Sequence, residues 1–491
     1  MYDLPIPISL SRKIFAMKSF PVLLLTVTIL FFISCQKNAE WITSTQTKQW
    51  IEQNTPLVKP SGIADAEVLL NETEQTIEGF GTCFNELGWT SLSVLSENDR
   101  EAIMKELFMP GKGAGFTICR MPVGANDFSR NWYSYNETEG DFGMKHFSIA
   151  YDHEILIPFI KAALKYNPSL KIWASPWSPP SWMKYNKHYA MRNFPKRADG
   201  TGRDNGLKPG LEGKEGMDMF IQEDQYFRAY AIYFARFIEA YREQGIHVSM
   251  VMPQNEFNSV QTFPSCTWTA AGLAEFMNHL VPQMKDLNVD VFFGTMERPD
   301  EKLADTVLTD PGIRNYIKGA GFQWAGKESI PGIHKRYPHL RLYQTEQECG
   351  NGKNDWEYCK YAWGLMKHYL NNGANAYMYW NTSLAEGGIS TWGWKQNSLV
   401  SVDTMNRTFK YNYEYYLLKH LSHYVKPGAK RLISDGSFDD LLAFVNEDKS
   451  IVIMVYNGSD QDKLVQIKTG NKVIRPLLKA DSFNTFIIKN K

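Results

Sequence analysis

VSMVMPQNEF, residues 248–257, is a short apolar run that ends on Gln254, Asn255 and Glu256. LRLYQTEQE, residues 340–348, repeats the pattern and reaches Glu346 at the same place. Runs of this length, apolar on both faces and bounded by polar or turn residues, are the mark of fully buried strands. Working outward, similar runs occur at Gly79–Phe84, Phe116–Val123, Leu170–Ser175, Val291–Thr295, Ala320–Trp324 and Ala374–Trp380. Amphipathic stretches of helical period separate them, among them Ile155–Lys165, Asp224–Gln244 and Trp356–Asn371. Eight buried strands alternating with helices predict an α/β fold, a (β/α)8 TIM barrel over residues 79–423.

The tail has a different grammar. From Ala429 to Lys491, short runs such as DDLLAFVNED, KSIVIMVYNGS and SFNTFIIKN are divided by Asn, Gly and Asp turns, with no helical stretch between them. That pattern predicts an antiparallel β-sandwich. The tail alone is too small for a two-sheet core, so residues 41–78 are expected to join residues 424–491 in one small domain. Residues 36–60, polar and punctuated by proline, read as a tether.

The first 35 residues read as a targeting segment. Met17-Lys18 precedes an apolar run from Phe20 to Ile33, about 14 residues, and then Ser34-Cys35. The run is short for a membrane span. Ile33-Ser34-Cys35 resembles a bacterial lipoprotein box, which makes Cys35 the lipidated residue and Met17 the expected start. A plain cleaved signal or a signal anchor is the alternative. The expected location is the cell envelope, with the chain held by its lipid at the outer-membrane surface of a Gram-negative bacterium. Secretion or periplasmic residence is the alternative.

Composition narrows the chemistry. Lys plus Arg equals Asp plus Glu at 53 each, which argues against a surface that tracks phosphates and so against nucleic-acid binding. Cys83, Cys119, Cys266, Cys349 and Cys359 have no CxxC spacing, and the ten His do not cluster at ligand spacing. Neither a disulfide framework nor a catalytic metal is expected, and no cofactor is called for. MPGKGAG, residues 109–115, lacks the ending of a phosphate-binding loop and reads as a turn before a strand. Fourteen Trp and 25 Tyr are a heavy aromatic load; core packing covers most of them, and several suit the walls of a sugar site.

In such barrels chemistry sits at the C-terminal strand ends. Those ends carry Asn85 and Glu86, Arg120 and Asp127, Trp177, Asn255 and Glu256, Glu297 and Arg298, Gln323 and Trp324, Glu346, and Trp380. Two carboxyls on separate strand ends, among hydroxyl-binding and aromatic neighbours, suit glycosidic bond cleavage: one donates a proton to the leaving oxygen and one attacks the anomeric carbon. Retention of configuration calls for the two to lie about 5–5.5 Å apart. Glu346 is then expected to be ionised, with Arg120 as partner, and Glu256 to have a raised pKa from the neighbouring charge and partial burial.

GFGTCFNELGW, RMPVGANDFS, ASPWSPPSWMK, MPQNEF, YQTEQECG and YWNTSLAEGG resemble, in order, the signature segments of glycoside hydrolase family 30, the glucosylceramidase-like family. The resemblance runs from Gly79 to beyond Asp403. It implies a barrel joined to a β-sandwich and retaining hydrolysis of β-linked sugars without a metal. Carried over by position, Glu256 is the acid/base and Glu346 the nucleophile. Asn255 holds the sugar 2-hydroxyl, and Arg120, Asp127, Trp177 and Trp380 line the subsite of the sugar that is attacked. Gln323-Trp324 stands where glucosylceramidases resemble His-Trp, and NEF replaces NEP. Gln323 and Trp324 are counted with the substrate-binding residues. These departures resemble the branch of surface endo-β-1,6-glucanases acting on fungal-type glucan. The expected partner is therefore a β-linked glucan or glucoside met by a monomer, with glucosylceramide or another β-glucoside or β-xyloside as the alternative. A non-catalytic carbohydrate-binding relative would have lost one of the two glutamates; both are present.

Several residues keep a second reading. Glu348, two residues beyond Glu346, shares its face if the strand continues and could be the nucleophile. Glu297 and Arg298 read as an ion pair closing the barrel top, and Glu86 as a substrate contact or a helix cap. Trp177 and Trp380 could be core residues, and Asp127 could only brace Arg120. The Gly-rich, charged insertion Tyr185–Met217 reads as a substrate-shaping lid or a disordered excursion. Trp392 and Trp394 read as a subsite for the leaving-group sugar.

Overall fold

The computed structural model describes residues 39–54, 57–59, 62–195 and 204–489. The targeting segment with Cys35, and the centre of the Tyr185–Met217 insertion, lie outside the described residues. No helix among those described is long and apolar enough to cross a membrane.

Eight parallel strands close into a barrel: Gly79–Cys83, Ile118–Pro122, Lys171–Ser175, Val248–Val251, Asp290–Met296, Ile317–Gln323, Arg341–Glu346 and Ala374–Asn381. Each lies within three residues of the run read from sequence, because strands buried on both faces leave an uninterrupted apolar signal. The first strand packs so tightly on the second that a Cβ at Gly81 would sit 1.6 Å from the Ile118 carbonyl oxygen, so only glycine fits there. Helix Asp224–Glu243 shows how the outer ring is held. Phe227, Tyr230, Phe234, Phe237, Ile238 and Tyr241 recur at three- and four-residue spacing, and all are buried. Side-chain caps on backbone N–H groups start several helices, among them Asn85 on Gly88, Thr269 on Gly272 and Asp355 on Tyr358.

The second unit is one ten-stranded sheet. Its order runs Ile51–Gln53, Ala39–Thr45, Ser482–Ile488, Ile451–Asn457, Leu441–Val445, Lys430–Gly436, Ala66–Thr76, Ile467–Thr469, Lys472–Ile474 and Leu57–Val58. Ile467 and Ile474, from one half of that order, share a buried cluster with Ile451, Ile453 and Phe486 from the other, so the sheet doubles over as a sandwich. Pairing is antiparallel throughout except where Ala66–Thr76 meets Ile467–Thr469 in parallel. Both chain ends do contribute. The tether reading of residues 36–60 fails from Ala39 onward: Ala39–Thr45 pairs along its whole length with Ser482–Ile488, and the consecutive Ile42, Thr43 and Ser44 are all buried.

Alternation at period two ties the sheet to the barrel. Leu442, Phe444, Val452 and Met454 belong to the barrel's core cluster, while Leu441, Ala443, Ile451 and Ile453 fill the sandwich. At this joint His420, on helix Tyr413–Ser422, places Nδ1 2.9 Å from Thr485 Oγ1 and Nε2 2.9 Å from Ser44 Oγ, which binds three distant segments. Burial first, and Lys419 second, lower the His420 pKa to about 3. Its folded pKa lies below the unfolded value of about 6.5, so stability is whole above pH 6.5 and declines as pH falls toward 3. The decline is about 1.4 kcal/mol per pH unit for the one proton. Urea midpoints of wild type and His420→Gln are expected to converge as pH drops from 7.5 to 5. Parallel curves would remove His420 as the acid-sensitive joint.

Candidate active site

A cavity of about 290 Å³ opens at the C-terminal ends of the barrel strands, lined by Asp127, Trp177, Asn255, Glu256, Gln261, Phe263, Glu297, Arg298, Trp324, Ala325, Glu346, Trp394 and Gln396. Six of the nine residues expected to act on substrate face it directly. Arg120, Gln323 and Trp380 do not; they stand behind the lining and hold it.

Arg120, on the second strand, is fully buried. Its Nε and Nη2 donate to Ser175 Oγ at 3.2 and 2.8 Å, Nη2 to Asn255 Oδ1 at 2.6 Å, and Nη1 to Glu346 Oε2 at 3.0 Å. Its guanidinium lies 4.3 Å from the Trp177 ring centroid and 5.4 Å from that of Trp380, which stacks on Trp177 at 5.1 Å. Aromatic faces and five anchored N–H groups fix one orientation of a cation that water does not reach. Asp127 does not brace Arg120, as one reading allowed. It lines the cavity, and its Oδ1 accepts no hydrogen bond. Burial, then the charges of Glu346 and Glu256, push its pKa well above the usual carboxyl range.

Gln323 is the hub of the two carboxyls. Its Nε2 lies 3.2 Å from Glu256 Oε1 and 3.2 Å from Glu346 Oε2, while its Oε1 accepts from Thr345 Oγ1 at 2.9 Å and Arg120 Nη1 at 3.3 Å. The two carboxyl oxygens are therefore separated by no more than twice 3.2 Å. The same Nε2 also lies 3.2 Å from Asn255 Oδ1, and a bound of about 6.4 Å between the two carboxyl oxygens falls below the gap of about 6.5–9.5 Å that an intervening water needs.

Glu346 also accepts from Trp324 Nε1 at 3.3 Å, and Glu256 from Gln261 Nε2 at 3.2 Å. Burial raises both acids. For Glu346 the rise is to about 7, with Arg120 opposing it and Glu256 adding to it; for Glu256 the Gln323 bond opposes it. The guanidinium and the indole N–H both sit on Glu346 and favour its charged form. Burial, rather than the neighbouring charge, is the leading cause at Glu256.

The backbone at Glu256 and at Trp324 is left-handed, with φ of 46° and 48°. For non-glycine residues this costs about 1–2 kcal/mol each. It turns the chain sharply at the ends of the fourth and sixth strands, and the Glu256 N–H is held by Thr295 Oγ1 at 2.9 Å.

The second readings now separate. Glu348 lies past the strand end, where period two no longer holds, and takes Lys327 Nζ at 2.9 Å and Tyr361 Oη at 2.7 Å away from the cavity. Asn85, not Glu86, caps its helix; Glu86 accepts the Arg130 N–H at 2.8 Å and braces the loop after the second strand. The expected ion pair is present but long, Arg298 Nη1 standing 3.9 Å from Glu297 Oε1, and Arg298 makes a tighter pair with Glu215 of the insertion. Trp394 is at the rim, 42% exposed, while Trp392 is buried against Trp132. Both hang from a small three-stranded sheet, Ser383–Ala385, Val400–Asp403 and Thr408–Tyr411, that the sequence reading missed. Gln261 and Phe263 were missed too; they lie in a strandless loop with no periodicity to mark them.

A barrel with two adjacent carboxyls in an aromatic, hydroxyl-binding cavity is the arrangement of a glycoside hydrolase. Residues 77–425 match the glycosyl hydrolase family 30 TIM-barrel domain, and residues 428–486 the family 30 β-sandwich domain. The chain belongs to glycosyl hydrolase family 30. It is 29% identical over 428 residues to a putative glucosylceramidase 1 of Caenorhabditis elegans, covering 81% of this chain and 77% of the relative. It is 25% identical over 431 residues to the endo-1,6-beta-D-glucanase neg1 of Aspergillus fumigatus, covering 81% and 82%. The solved structure of the endo-beta1,6-glucanase BT3312 shares the fold, with a TM-score of 0.78 at 23% identity over 92% of this chain and 99% of that one.

Proposed function

We propose that the chain is a retaining enzyme that hydrolyses β-1,6-linked glucan by double displacement, cutting within the polymer. The observation that carries retention is the single amide of Gln323 touching both carboxyls at 3.2 Å, which leaves no room for a water between them and the sugar. Glu346 Oε attacks the anomeric carbon as the bond to the leaving oxygen breaks, and Glu256 delivers its proton to that oxygen. Once the glycosyl ester forms, the negative charge on Glu346 is gone. Glu256, now ionised, takes a proton from water; that water attacks the anomeric carbon and releases Glu346. Asp127 and Asn255 take hydroxyls of the attacked sugar, and Trp177 covers its face.

The substrate reading rests on three supports. Gln323 stands in the position where glucosylceramidases resemble His. Among the described residues the cavity lining is polar and aromatic, with Gln261, Arg298, Trp394 and Gln396, and Ala325 is its one aliphatic member. Relatives named endo-1,6-beta-D-glucanase match the chain over four-fifths of their length. Cys35 as a lipid anchor would place the enzyme where polysaccharide is met. A product profile tests the reading: residues 36–491 are incubated with linear β-1,6-glucan and, separately, with glucosylceramide in detergent. An early ladder of β-1,6 oligosaccharides is expected. Glucose released from the lipid alone would replace this substrate by the glucosylceramidase reading.

A further inference from the structure

Glu297 is the one carboxyl in the cavity that the reaction as described does not use. It ends the fifth barrel strand, is 1% exposed and lines the cavity, yet neither of its oxygens accepts a hydrogen bond. Arg298 Nη1 pairs with it at 3.9 Å, beyond hydrogen-bond reach, while Arg298 Nη2 holds Glu215. Burying two acceptor oxygens without a hydrogen-bond donor costs free energy. Arg298 balances the charge but leaves both oxygens without a donor, so they are open to hydroxyls that enter the cavity.

Its position says which part of a substrate that is. The charges that act on Glu297 are those of Glu256, Arg298 and Glu215, whereas Asp127 senses Glu346, Glu256 and Arg120. Glu297 thus stands closer to Glu256 than to Glu346, on the side of the proton donor. The bond that breaks lies between the attacked sugar and the oxygen Glu256 protonates, so what lies beyond that oxygen lies toward Glu297. The same cavity carries Trp394, exposed, with Phe263 edge-on to it at 6.2 Å.

We infer that Glu297 binds the hydroxyls of a sugar leaving group, with Arg298 fixing its loop and Trp394 covering the ring, so that this half of the cavity selects a saccharide over a lipid. The inference rests on the glucan reading above and assigns the residue that enforces it. Two oxygens on one carboxyl match two neighbouring hydroxyls of a pyranose, and each bond would otherwise leave a buried acceptor unmet. A methylene chain in the same place would seal the carboxyl against hydrocarbon, which disfavours a lipid leaving group.

The test compares kcat/KM for a linear β-1,6-glucotriose with kcat/KM for an aryl β-glucoside, whose leaving group has no sugar hydroxyls. In Glu297→Leu the ratio of the two is expected to fall about 30-fold, and in Glu297→Gln, which keeps hydrogen-bonding capacity, only a fewfold. The glycosyl-enzyme should also lose its preference for a glucose acceptor over water in Glu297→Leu. An unchanged ratio in both variants overturns the inference. So does an equal loss on both substrates with a shifted basic limb of the pH profile, since Glu297 would then act by tuning Glu256. Wild type that cleaves the aryl glucoside but no β-1,6 oligosaccharide overturns the substrate reading itself, a result distinct from either.

Discussion

Glu346→Gln is expected to lose on the order of 10⁴-fold or more in kcat, at least about 5.5 kcal/mol of the barrel's contribution to the transition state. The amide is isosteric but cannot form the ester, so sugar binding should persist while turnover stops. The environment makes the loss nearly pure chemistry. Arg120 keeps Ser175, Asn255 and both tryptophan faces when the charge opposite it is removed. The same residue can be shown directly. A 2-deoxy-2-fluoro-β-glucoside with a good leaving group slows ester hydrolysis more than ester formation, so the intermediate accumulates. Trypsin cuts after Arg341 and Lys353, and the labelled peptide should therefore be Leu342–Lys353. That peptide contains Glu346 and Glu348, and fragmentation should place the sugar on Glu346. A label on Glu348, or undiminished turnover in Glu346→Gln, would refute the assignment.

The barrel was legible in the sequence because its strands are buried on both faces and its ends carry chemistry instead of turn residues. Glu256, Glu346 and Arg120 could be placed from strand ends alone. What escaped the sequence depends on distance through space. Gln323 reads as one more polar strand end, and only the closed barrel shows one amide spanning two carboxyls that are 90 residues apart in the chain. Glu297 and Arg298, adjacent in sequence and opposite in charge, invited an ion pair. The pair does form, at 3.9 Å, but both side chains line the cavity and the tighter partner of Arg298 is Glu215, far off in the chain. The left-handed turn at Glu256 has no sequence signal, since neither glycine nor asparagine marks that position. Residues 39–53 misled by polarity: Ile51–Gln53 is the edge strand, and Ala39–Thr45 beside it is held by backbone pairing on both sides with few apolar side chains.

The acid/base role makes a sharper demand than loss of activity, because it predicts which substrates suffer. Glu256→Ala should lower kcat/KM on a β-1,6-glucan oligosaccharide by about 10²–10⁴-fold, since a sugar alkoxide cannot leave unprotonated. On a dinitrophenyl β-glucoside, whose phenolate leaves without a proton, the first step should stay near wild type. The second step, starved of its base, should then limit turnover and produce a burst. Azide, which needs no deprotonation, should restore that turnover and yield a β-glucosyl azide, two displacements on one carbon giving back the starting configuration. The pH profile supplies an independent sign. Burial holds the Glu256 pKa above its ordinary value, so the proton survives toward neutral pH, and the basic limb of kcat/KM reports its loss. In Glu256→Ala that limb should vanish while the acid limb, set by protonation of Glu346, remains. An α-glucosyl azide would mean a single displacement and an inverting enzyme. Persistence of the basic limb would move the proton donor to another group, and Glu297, buried on the same side, would be the next to test.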